Sequence, residues 1–138
     1  MDTKTVFSQD GEALDSIIKL DDNGLIPAII QDVHTGQVLM LGYMNRTSLE
    51  RTLREKKACF WSRSRQKYWV KGESSGHFLM VREVRIDCDG DALLVKCEPI
   101  GPTCHTNQTS CFYRRVEENL KAYFDGDTES NKKEGGTS

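Results

Sequence analysis

Apolar residues in this chain come in short runs separated by turn-forming clusters. The stretch Leu25-Ile26-Pro27-Ala28-Ile29-Ile30 opens a strand predicted over 25–33. His34-Thr35-Gly36-Gln37 carries turn chemistry, and 38–44 reads as the return strand of a hairpin. Asn45 suits a helix N-cap, because its side chain can accept from the free N–H groups of the next turn. A helix is predicted over 47–57, with Leu49 and Leu53 four apart and Arg54, Lys56 and Lys57 at its negative end. Residues 58–63 and 68–71 read as short strands. Residues 78–86 and 92–98 alternate apolar and polar side chains with the period of a half-buried strand. The acidic run between them must then be a tight connection. A last strand is predicted over 110–115 and a short helix over 116–124. Near the N-terminus, the polar stretch 1–24 holds one short helix at 13–20. Residues 125–138 are rich in Gly, Ser, Lys and Glu, so a disordered tail is expected there. The pattern is one α+β, β-rich domain over 1–124, with mixed or antiparallel sheets and a few short helices, and no βαβ alternation.

With 138 residues the chain has room for one core and little depth for a pocket. Its 19 basic and 21 acidic residues give a net charge of −2, which provides no general drive toward nucleic acid or membrane. The longest apolar runs are far too short to span a bilayer, and no signal-peptide pattern follows Met1. A cytoplasmic location with reduced thiols is expected. There, clustered cysteines favour metal or catalysis over disulfides.

The cysteine spacing therefore changes the picture. Cys88 lies inside Asp87-Cys88-Asp89-Gly90-Asp91; Cys104-His105 and Cys111 bracket a polar loop. Three thiolates do not fill a four-coordinate structural zinc site, but three ligands with a position left for water describe catalytic zinc. Asp87, Asp89 and Asp91 offer oxygen donors for a second, hard cation such as Mg2+ or Ca2+. Cys97 on the apolar face of its strand, and Cys59 beside Phe60 and Trp61, read as core. An EF-hand fails because Ala92 stands where its glycine is needed. The paired spacing of a zinc finger is missing, as are the motifs of a nucleobase deaminase. If the acidic run is extended, Cys88 faces away from its aspartates. Cys88 would then fail to reach Cys104 and Cys111 of its own chain, and a site shared across a dimer interface would solve this.

A second signal is basic. Phe60-Trp61-Ser62-Arg63-Ser64-Arg65 is followed by Tyr68-Trp69-Val70-Lys71-Gly72-Glu73-Ser74-Ser75-Gly76-His77. Arg63, Arg65 and Lys71 are anion binders, and the Gly72–Gly76 loop permits close backbone approach by phosphate oxygens. Trp61 and Trp69 suit either a stacked base or the core, with the core favoured for Trp61.

These segments, with Val38-Leu39-Met40-Leu41-Gly42-Tyr43-Met44-Asn45 and Ser110-Cys111-Phe112, resemble the phosphoribosyl-AMP cyclohydrolases of histidine biosynthesis over residues 20–116. Gly42 stands where that family more often has alanine, Ser74 where it has threonine, and Asn107 where it has glycine. The resemblance implies a single-function hydrolase that opens the adenine ring of N1-(5-phosphoribosyl)-AMP between N1 and C6. It also implies an intertwined homodimer dependent on Zn2+ and Mg2+. Cys88, Cys104 and Cys111 would hold zinc across the dimer, and Asp87, Asp89 and Asp91 magnesium. Arg63, Arg65, Lys71, Glu73, Ser74, Ser75 and His77 would bind the nucleotide substrate. His105 is the expected base, with His77 and Glu73 as alternates.

Overall fold

The computed structural model describes residues 10–128. The sequence element expected at 13–20 is a single helical turn, α1 (Leu14–Ile17). Strands β1 (Ile26–Asp32) and β2 (Val38–Met44) form the anticipated hairpin. Helix α2 (Arg46–Glu55) starts at Asn45 with a reciprocal capping box. The Asn45 side chain accepts from the Ser48 N–H at 2.9 Å, and Ser48 Oγ accepts from the Asn45 N–H at 2.9 Å. Next come β3 (Cys59–Ser62) and β4 (Lys67–Val70), a separate two-stranded sheet, then β5 (Leu79–Ile86) and β6 (Leu93–Pro99). The main sheet has the order β2-β1-β6-β5. Its central pair β1 and β6 is parallel, and its outer pairs are antiparallel.

The core lies on one face of this sheet. Ile26, Ala28, Ile30, Leu39, Met44, Leu93, Val95 and Cys97 meet Leu49 of α2 and Phe60 of β3. Thr52 ties α2 to β3 inside this core: its hydroxyl donates to Ser48 O at 2.8 Å and accepts from the Cys59 N–H at 3.0 Å. Gly42 has a packing reason. A Cβ there would lie 2.5 Å from the Phe60 ring. Among the described residues, no helix is long and apolar enough to cross a membrane.

The C-terminal part departs from the sequence reading. Residues 110–113 are not a strand. Instead the Cys111 N–H donates to Leu39 O at 2.7 Å, an anchor on the outer edge of β2. The helix expected over 116–124 is a hairpin of β7 (Arg114–Val116) and β8 (Ala122–Phe124). Val116, Leu120 and Phe124 have helical spacing, which explains the misreading, but they are exposed and have no core to face. The turn is closed by Glu117 N–H to Lys121 O at 3.0 Å, with Leu120 at φ 65°. Residues 125–128, assigned from the sequence to the tail, include backbone and side-chain bonds to 108, 109 and 113. The rest of the expected tail, 129–138, lies outside the described residues.

Candidate metal and nucleotide site

Beyond the end of β6 the chain makes a small excursion that carries two of the three candidate thiols. Cross-loop bonds from Thr103 N–H to Thr109 O (3.3 Å) and from Cys104 N–H to Gln108 O (3.1 Å) give it a ladder. The turn closes through Asn107 N–H to Cys104 O at 2.8 Å, with Asn107 at φ 69°. Asparagine tolerates this left-handed conformation and glycine adopts it freely, so either residue closes the turn. Ser110 Oγ donates to Val38 O at 2.8 Å and, with the Cys111 bond, fixes the loop to β2.

The loop brings Cys104 and Cys111 together. Burial by itself would push the Cys104 thiol up. Hydrogen bonds from the Thr106 hydroxyl (3.0 Å to Sγ), the Thr106 N–H and the Cys111 thiol, aided by Lys71, instead hold it below the ordinary value. Cys111 moves the other way, to about 11, first because its thiol is partly withdrawn from water and then because it adjoins Cys104. Lys71 is lowered by burial, and the two thiols oppose that shift. Cys104 is thus the more acidic thiol of the pair. Two neighbouring sulfur donors, one of them with its thiol held below the ordinary value, fit part of a zinc site.

Cys88 does not join them. Two sulfurs on one zinc lie no more than about 4.6 Å apart. Among the described residues, the group of three His, Cys, Asp or Glu with ligand atoms within 4.8 Å is Asp87, Asp89 and Asp91. Those aspartates meet through a turn, not through strand alternation. Asp87 N–H donates to Ala92 O at 3.0 Å and Asp91 N–H to Asp87 Oδ1 at 2.9 Å. Gly90, at φ 76°, leaves no room for a Cβ against Ile17 O at 2.1 Å, and its own carbonyl accepts from the Lys19 N–H. Asp91 is raised by its hydrogen bond with Asp87 and by the charge of that neighbour. Crowded carboxylates of this kind suit a hard cation.

The thiol loop forms one wall of a groove of about 630 Å³. Arg65, Lys71, Glu73, Ser74, Ser75, His105 and Cys111 all line it, so the basic segment and the thiol loop converge. Trp69 lines it too, with its ring 4.9 Å from Phe60. Trp61, favoured for the core from the sequence, is instead set edge-on against the exposed Tyr68, and it is Trp69 that packs against the core cluster. Two expected contacts point elsewhere. Arg63 stacks over the Tyr43 ring at 3.9 Å, and His77 packs on Gly101. Sequence reasoning missed Thr103, which lines the groove yet is buried, with its hydroxyl lacking a partner among the described residues. No spacing rule singles out a threonine before a cysteine.

Cys59 and Cys97 are buried in the core, as expected. Burial pushes the Cys97 thiol up to about 12.

Comparison with known proteins places this chain in a family. A family model described as phosphoribosyl-AMP cyclohydrolase matches residues 40–113. The phosphoribosyl-AMP cyclohydrolase of Prosthecochloris aestuarii is 58% identical over 103 residues, 75% of each chain. That of Chlorobium phaeovibrioides is 60% identical over 101 residues, 73% of this chain and 74% of the relative. That of Chloroherpeton thalassium is 59% identical over 101 residues, 73% of this chain and 72% of the relative. The matched span holds the groove, the acidic turn and all three candidate zinc thiols, and on this similarity the chain belongs to the phosphoribosyl-AMP cyclohydrolase family.

Proposed function

We propose that this protein hydrolyses N1-(5-phosphoribosyl)-AMP in the histidine pathway of the cytoplasm, as a homodimer with two composite sites. The observation that carries this reading is Cys111, paired with Cys104, lining a groove of about 630 Å³ together with His105 and Lys71. Cys104 and Cys111 of one subunit and Cys88 of the other would hold zinc. When bound, zinc supplies Lewis-acid activation of water at neutral pH. Lys71 offsets part of the negative charge of the thiolates, an assignment its position favours over phosphate binding.

The residues divide the remaining work. Trp69 offers a flat wall for the purine, and Arg65, Ser74 and Ser75 offer donors to phosphate oxygens. The water oxygen adds to C6, the N1–C6 bond breaks, and C6 becomes the carboxamide carbon. His105 takes the proton of the attacking water and returns it to the departing N1. Glu73, in the same groove, is the alternate. Asp87, Asp89 and Asp91 would hold Mg2+, which commonly combines one or two carboxylates with substrate oxygens.

The test is turnover of phosphoribosyl-AMP by the purified protein with Zn2+ and Mg2+, followed by product absorbance. Absence of turnover with both metals bound overturns the reading.

A further inference from the structure

The matched family region ends at residue 113, yet the chain returns to the thiol loop after that point. The hairpin β7–β8 carries it out and back, and Asp125 N–H donates to Tyr113 O at 2.7 Å. Two residues later Asp127 meets the loop itself. One carboxylate oxygen, Oδ2, accepts from the Thr109 N–H at 2.8 Å and from the Thr109 hydroxyl at 2.6 Å. The Asp127 N–H in turn donates to the Gln108 side-chain oxygen at 2.6 Å. All three bonds are partly buried, and the two to the carboxylate are charge-assisted, the stronger kind.

Gln108 and Thr109 are the residues whose carbonyls pair with Cys104 and Thr103. Asp127 therefore grips the far strand of the ladder that carries Cys104, and Cys111 follows two residues after Thr109. No other described side chain accepts from the Thr109 N–H. We infer that Asp127 is a positioning residue for the zinc thiolates: it holds Gln108 and Thr109 so that Cys104 and Cys111 keep their mutual spacing. Its role resembles that of the outer hydrogen-bond partners that orient metal ligands.

This inference rests on the zinc reading above. The experiment is zinc affinity of the full-length holoprotein by competition with a chromophoric chelator, for wild type, Asp127→Ala and Asp127→Asn. Thermal midpoints are measured on the same proteins after zinc removal. Loss of an outer-shell partner typically weakens metal binding by about 10–100-fold, the drop expected for Asp127→Ala. Asp127→Asn keeps an acceptor oxygen and should retain most of the affinity. The zinc-free midpoint of Asp127→Asn should stay close to wild type, and that of Asp127→Ala should fall by no more than the loss of two partly buried hydrogen bonds implies. Unchanged zinc affinity in Asp127→Ala overturns the inference. So does a loss matched by a large fall in the zinc-free midpoint, which would assign Asp127 to general stability. A wild-type protein that binds no zinc removes the underlying reading instead, and this is seen before any variant is compared.

Discussion

Cys88 and Cys104 lie beyond opposite ends of β6: Cys88 precedes the strand in the acidic turn, and Cys104 follows it in the thiol loop. The strand has seven residues. At roughly 3.3 Å per residue it spans roughly 20 Å, several times the separation of two thiolates on one zinc. Cys111 sits with Cys104 and not with Cys88, since its thiol hydrogen-bonds the Cys104 sulfur. A three-thiolate site must then draw Cys88 from a second copy. Mixing inactive Cys88→Ala and Cys104→Ala proteins under subunit exchange gives dimers with one doubly damaged and one intact site. Such dimers should recover about half the wild-type activity, because two-fold symmetry makes two sites. No recovery after mass spectrometry confirms exchange would place the site within one chain.

Zinc content separates the five cysteines. Cys88→Ala, Cys104→Ala and Cys111→Ala should each lose bound zinc and turnover, because three ligands leave no redundancy. Cys59→Ala and Cys97→Ala remove core sulfurs and should keep zinc at a cost of about 1–3 kcal/mol in denaturant unfolding. Full zinc occupancy in Cys104→Ala, read by atomic absorption, would contradict this division.

His105 is exposed in the turn that follows Cys104 and lines the groove, whereas His77 packs on Gly101. His105→Ala should lower kcat by about 10²–10⁴ with zinc retained, the range for loss of one acid–base group. His77→Ala should leave kcat within a few-fold of wild type. If the two results exchange, His77 takes the proton-transfer role.

Much of this was readable in the sequence where local rules act alone. Strand β2 has the bounds expected from its apolar run, and Asn45 caps α2 because a polar acceptor at that place meets free N–H groups. The β7–β8 hairpin was not readable. Val116, Leu120 and Phe124 imitate a helical stripe, and only the absence of anything for them to bury reveals the difference. Within the site, residue types announced the thiols, the aspartates and the basic loop. Asp127 and Thr103 carried no such signal. One bonds residues 18 and 19 positions away, and the other holds a buried hydroxyl with no partner among the described residues.

Gly42 tests how far family preference transfers to this chain. An alanine methyl would meet the Phe60 ring at 2.5 Å, and Phe60 is fully buried against Trp69. Gly42→Ala should therefore destabilise by about 1–3 kcal/mol, the usual cost of overpacking, despite the gain from replacing glycine in a strand. An unchanged or raised thermal midpoint would mean that the ring moves aside freely.

Thr103 gives the sharpest separation of stability from function. Its residue is 2% exposed, its hydroxyl has no hydrogen-bond partner among the described residues, and it lines the groove next to Cys104. A buried hydroxyl left unsatisfied costs about 1–3 kcal/mol, so the folded protein gains nothing from holding it there without a ligand. Thr103→Val keeps the shape and removes the polar atom. Its thermal midpoint, measured without substrate, should match or exceed that of wild type. If the hydroxyl meets a polar group of the bound nucleotide, kcat/KM should fall by about 10–100-fold, the same 1–3 kcal/mol appearing as lost transition-state binding. Thr103→Ser restores the hydroxyl and should recover most of the loss. A lower midpoint together with unchanged kcat/KM in Thr103→Val would show that the hydroxyl serves the fold through a buried water or the second subunit, and not the substrate.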